Sequence, residues 1–145
     1  MRHALAKLYI LLALFGLARA VGAQAAGVPP TDARQVRAVI QGQLDAFAAD
    51  DAKRAFSYAS PAIRELFGTP ERFIDMVRAS YPMVYRAASV SFFEPEMIEG
   101  ELFQRVRMTD SSGAVWLAIY RMQRQSDKSW RINGCEVVES AGRVT

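Results

Sequence analysis

Four polar side chains near the middle of this sequence are of the types that bind or protonate a small molecule. Tyr58, Tyr81 and Tyr85 fall where a helical half gives way to a strand-rich half, and Arg86 follows directly. A tyrosine hydroxyl near a carboxylate such as Asp75 can act as an acid toward a polar ligand. A guanidinium can grip a carboxylate or phosphate as a fork. The plainer reading of the tyrosines is amphipathic packing with the hydroxyl at a rim, and that of Arg86 is a solvated side chain at a strand start. Cys135 is the only cysteine of the chain. A reactive thiol needs a lowered pKa and access, and a strand position beside Gly134 favours a buried, inert one. Asp50-Asp51 stands at a helix junction, where capping is a simpler role than metal binding. Glu94, Glu96, Glu99 and Glu101 lack the compact oxygen set of a calcium loop and read as a solvated loop.

The N-terminal residues narrow the chemistry further. Arg2 and Lys7 precede an apolar run, Leu8 to Leu17, about half the length that a bilayer-spanning helix needs. Val21-Gly22-Ala23 then fits the small-x-small pattern of signal peptidase, which predicts Gln24 as the new N-terminus, with Ala18-Arg19-Ala20 as a second candidate site. No cysteine follows the run and no Arg-Arg pair precedes it, so neither a lipid anchor nor the twin-arginine route is indicated. The expected organisation is a signal peptide at 1–23, a flexible tether at 24–30, one domain at 31–139 and a disordered tail at 140–145. These residues by themselves predict export from the cytoplasm, with no stable membrane anchor after cleavage.

Cleavage also changes the charge. The full chain carries 18 basic and 15 acidic residues, a net +3; losing Arg2, Lys7 and Arg19 leaves 15 against 15. A neutral domain lacks the footprint that phosphate-backbone binding requires, so no nucleic-acid partner is expected. The only histidine, His3, leaves with the same segment. That removes Ser-His-Asp and Cys-His catalysis and the commonest metal ligand, so no cofactor or metal is expected. One cysteine permits no internal disulfide, and stability must come from packing. Roughly 120 remaining residues suffice for one hydrophobic core.

The elements that would position these groups follow from periodicity and punctuation. Thr31 or Asp32 can cap a helix with Val36, Val39, Ile40, Leu44 and Phe47 on one face, ending near Asp50 and weakened by Gly42. Asp51 can cap a second helix holding Ala52, Ala55 and Phe56. Ser60-Pro61 opens a third that stops at Gly68, and Thr69-Pro70 opens a fourth that reaches Pro82. After that the period becomes two. Strands are predicted at Ser89 to Phe93, Leu102 to Thr109, Ala114 to Arg124 and Trp130 to Val138.

The central hairpin has two readings. With an even loop at Ser111-Ser112, Arg107 sits opposite Trp116, and one face carries Phe103, Arg105, Arg107, Trp116 and Tyr120. Arginine, tryptophan and tyrosine are enriched at interfaces, so this face predicts a two-fold homodimer; an ordinary sheet surface is the plain alternative. A three-residue loop would swap the faces.

Gln43-Leu44-Asp45-Ala46-Phe47-Ala48-Ala49-Asp50-Asp51 resembles the end of the first helix in nuclear transport factor two-like (SnoaL-like) domains, and Trp130-Arg131-Ile132-Asn133-Gly134 their last strand. Phe56 to Arg64, Tyr81-Pro82-x-Val84-Tyr85-Arg86 and Trp130 to Cys135 are similar to a bacterial exported family known only as a domain of unknown function. The resemblance spans about residues 33 to 138, and it implies a bacterial envelope as the destination: the periplasm, or the exterior where there is no outer membrane. It implies an α+β cone, helices first and strands last, with helices packed on a curved antiparallel sheet and often a pocket in the mouth. Function must still be argued from a site. The expected function is a small exported binding module, non-catalytic, for a small apolar or amphipathic ligand or a protein partner, dimerising through its sheet. A cofactor-free isomerase or hydrolase-like enzyme using tyrosine and carboxylate groups is one alternative. A structural subunit of an envelope complex, its cone filled in, is another.

Overall fold

The computed structural model describes residues 27–140. The expected leader, and the expected tail except Ser140, lie outside the described residues. Five helices come first: α1 (Pro30–Ala48), α2 (Ala52–Ser57), α3 (Pro61–Phe67), α4 (Pro70–Ser80) and α5 (Pro82–Tyr85). Five strands follow: β1 (Ser89–Phe92), β2 (Glu96–Ile98), β3 (Glu101–Thr109), β4 (Val115–Arg124) and β5 (Trp130–Glu139). The order β1-β3-β4-β5 is antiparallel throughout, and β2 pairs with the other end of β3. This is the expected α+β class, helices packed on one face of a curved, open antiparallel sheet.

The helix starts are written in the sequence. α1, α3, α4 and α5 each begin on proline, whose missing N–H costs nothing in the first turn. Asp51, Ser60 and Thr69 accept hydrogen bonds from the backbone N–H groups of Arg54, Ile63 and Arg72, satisfying donors that have no partner inside the helix. α1 differs from expectation. Neither Thr31 nor Asp32 caps it; Pro29 occupies that position without a side-chain bond. Asp32 instead accepts from Trp130 Nε1 at 3.3 Å and lies 3.8 Å from Arg124, tying α1 to the last hairpin. The helix stops at Ala48 because Asp50 takes a left-handed φ of 53° while Asp51 N–H reaches back to Ala46 O.

Val36, Ile40, Leu44 and Phe47 form the buried stripe of α1, spaced as one helix face requires. Gly42 interrupts that helix for a steric reason. A Cβ there would lie 2.4 Å from the hydroxyl oxygen of Tyr58, so the phenol occupies the place of a side chain. Gly42→Ala is expected to lower stability by about 1 kcal/mol despite alanine's better helix propensity. In a Tyr58→Ala background the same change should raise stability. Urea denaturation of the four proteins checks that reversal of sign.

The β3–β4 hairpin corrects the expected register. Asp110 N–H donates to Ala114 O and Gly113 N–H to Asp110 O, with Gly113 at φ 82°. The loop is therefore Ser111-Ser112-Gly113, a three-residue connection whose last position needs a left-handed residue. Asp110 locks it, accepting from Ser112 N–H and Oγ, Ala114 N–H and Trp116 Nε1. The hydrogen bonds from Ser112 and then Trp116 lower its pKa to about 2. Met108 now faces Trp116, Arg107 faces Leu117 and Gln104 faces Tyr120. Because side chains alternate, a shift of one residue moves a whole set across the sheet. Trp116 and Tyr120 belong to the helix-covered face, and Tyr120 is 1% exposed. Phe103, Arg105 and Arg107 share the outer face with Leu117, Ile119 and Arg121 instead.

The acidic stretch differs too. Glu96 lies in β2 and pairs with Arg105 at 2.9 Å, while Glu99-Gly100, both at positive φ, turn the chain into β3. Glu139, one residue past the expected end of the last strand, closes β5.

Candidate functional site

The helices do not fill the sheet completely. A cavity of about 270 Å³ lies between them and the β4–β5 half of the sheet. Gln43 and Phe47 of α1 contribute to its wall, as do Ala59 after α2 and Phe73, Met76 and Val77 of α4. Ile63, Leu66 and Phe67 of α3 form another side; Tyr81 and Val84 complete the helical part. Tyr120, Ile132, Gly134 and Cys135 supply the sheet side. Among the described residues none that lines it is charged.

Local pairing builds this wall. Ser60 N–H donates to Ile132 O at 2.8 Å and Ile132 N–H to Tyr58 O at 2.9 Å, so residues 58–60 run as a short parallel partner to β5. Across from it, β5 bulges between its pairs Arg121–Gly134 and Met122–Ile132, leaving Asn133 over. A bulge re-aims a side chain, and here Asn133 Oδ1 accepts from Ser60 Oγ at 2.7 Å. Phe73 sits among Phe47, Phe56 and Phe67 with ring centroids 5.5–6.0 Å apart, which stiffens the helical side.

Three polar groups look into this apolar space. Gln43 is 4% exposed and donates to Ala55 O at 3.1 Å; that bond orients its amide, and its carbonyl oxygen accepts nothing among the described residues. The Tyr120 hydroxyl is buried and has no hydrogen-bond partner. Burial pushes its pKa well above the usual tyrosine value, so it is a neutral O–H donor. The thiol of Cys135, its neighbour across the β4–β5 pair, is pushed up to about 12, chiefly by burial. An unreactive thiol was the sequence expectation. Alkylation of Cys135 by iodoacetamide at pH 8 should be at least about a hundredfold slower in the folded protein than in urea, because the thiolate is the nucleophile; mass spectrometry of the labelled peptide measures it.

The residues expected to bind ligand are not all brought together. Tyr81 lines the cavity. Tyr58 does not; its ring lies against Gly42. Tyr85 is 6% exposed, packed on Phe47, and its hydroxyl accepts from Arg78 at 3.1 Å. Arg86 does bind a carboxylate, that of Asp50, but through Nη2 alone, at 2.9 and 3.0 Å from its two oxygens, while Nη1 donates to Phe47 O at 2.6 Å. With its guanidinium 4.3 Å from the Tyr85 ring centroid, Arg86 fastens the end of α1 to α5. Asp75 faces Arg78 and solvent, at 3.3 Å and 69% side-chain exposure. Gln43, Tyr120 and Cys135 were missed as cavity residues; the signal for Tyr120 was the Asp-Ser-Ser-Gly loop, which sets the register.

No curated protein and no solved structure matches the chain. The family model of a domain of unknown function (DUF4864) matches residues 29–145, which take in every helix and strand described above. The chain belongs to that family.

Proposed function

We propose that the protein is an exported, non-catalytic binding module that holds a small, largely apolar ligand between its helices and β4–β5. The observation that carries this reading is the uncharged cavity, whose wall combines aromatic and aliphatic side chains with a few inward polar groups, the usual make-up of a small-molecule site. Export rests on the sequence of residues 1–23. The element order agrees with the resemblance to nuclear transport factor two-like domains, in which pockets of this kind occur. An open cavity argues against a purely structural subunit. Acid–base catalysis is disfavoured because no carboxylate lines the cavity and Tyr120 is held neutral. Self-association belongs to the same proposal, through the outer sheet face: Phe103, Leu117, Ile119 and the 46%-exposed Val138 lie there among Arg105, Arg107 and Glu136, a mix of signs that a two-fold axis can match to itself.

Native mass spectrometry of the protein isolated gently from cell envelopes tests both parts. A dimer carrying a defined extra mass that denaturation releases is the expected result. Leu66 provides the control. It lines the cavity yet is 74% exposed, so Leu66→Glu should leave stability within about 0.5 kcal/mol while removing the adduct. A bare protein that no apolar compound stabilises would sink the binding reading, and a monomer at every concentration would remove the dimer.

A further inference from the structure

A hydroxyl with no partner is unusual in a folded interior, since buried polar groups are almost always hydrogen-bonded. Tyr120 carries one inside an otherwise apolar cavity. The thiol of Cys135 beside it is protonated at neutral pH, and its sulfur is only a weak acceptor for that O–H. Gln43 adds an unused carbonyl oxygen from the opposite, helical side. We infer that the ligand is a neutral oxygenated molecule, a ketone, ester, aldehyde or alcohol on a short apolar body, whose oxygen accepts the Tyr120 O–H. This rests on the binding reading above and specifies its ligand class.

Three features select that class. A carboxylate or phosphate would enter a space with no cation on its lining, and an unpaired charge is costly to desolvate. A pure hydrocarbon would leave the Tyr120 hydroxyl as lonely as before. Size sets the third limit. A cavity of 150 Å³ accepts benzene, so about 270 Å³ holds a body of about ten heavy atoms. A longer chain would have to pass Leu66 into solvent.

Octan-2-one, octan-1-ol, octanoate and octane share one chain length and differ only in the head group. Their affinities for the purified protein and for Tyr120→Phe, measured by calorimetry or by displacement of a fluorescent apolar probe, test the inference. Expected is binding of the ketone and the alcohol, about tenfold weaker in Tyr120→Phe. Octane should bind both proteins equally, and octanoate at least about tenfold more weakly than the ketone. Octanoate binding as well as the ketone, or a ketone affinity indifferent to Tyr120→Phe, overturns the ligand class and leaves the binding module standing. Failure of all four, octane included, overturns both.

Discussion

Phe47→Ala is expected to cost about 3–5 kcal/mol of stability, the range for truncating a fully buried aromatic. Phe47 is 1% exposed and touches three structural groups at once. Its ring stands 6.0 Å from those of Phe73 in α4 and Tyr85 in α5, and Phe47 also lines the cavity. Its carbonyl accepts the Arg86 guanidinium that also binds Asp50. Deleting the ring leaves a void that merges with a space already present, so the neighbours cannot close over it, and the high end of the range applies. For a domain whose whole stability is about 5–15 kcal/mol, the thermal midpoint should fall by well over ten degrees, roughly. Phe47→Leu keeps much of the volume and should recover more than half of the loss. A cost near 1 kcal/mol for Phe47→Ala would mean that the helices collapse onto the sheet without that ring, and that the cavity is not held open by the aromatic cluster. Calorimetric melting of the three proteins decides between them.

Much of the helical half was legible because its signals are local. Proline at a first position, Ser60 and Thr69 as caps, and Gly68 as a stop all act within one turn of chain, and the structure uses each as expected. What escaped depends on geometry between distant residues. Gly42 reads as a defect in α1 until Tyr58 is found lying on it. Arg86 has the chemistry of an anion receptor, and nothing near it in sequence reveals that Asp50, thirty-six residues earlier, is its anion. The hairpin shows how one residue decides a site. Gly113 supplies the left-handed third position of an odd loop, and that alone carries Tyr120 from a proposed interface to the cavity. The alternation of β3 and β4 was correctly read, and the face was inverted by the turn.

The second large effect has the opposite sign from an ordinary core substitution. Tyr120→Phe should raise the stability of the ligand-free protein, by about 1–3 kcal/mol, the desolvation penalty of a buried polar group left unmade. The ring stays, so no void opens, and the only group removed is a hydroxyl that has no partner in a residue 1% exposed. Such a group is retained against its own cost when something else binds it, so the stabilisation should shrink as an oxygenated ligand saturates the wild-type protein. Mass action supplies the arithmetic: a ligand at about a hundred times its Kd adds about 2.7 kcal/mol to whichever protein binds it. Because Tyr120→Phe binds the ketone about tenfold more weakly, urea denaturation with and without octan-2-one should show its lead shrink by up to about 1.4 kcal/mol when both proteins are loaded. If the substitution destabilises the empty protein by 1 kcal/mol or more, roughly the net worth of one hydrogen bond, then the hydroxyl already has a partner in solution. The case for an acceptor oxygen on the ligand would fall with it.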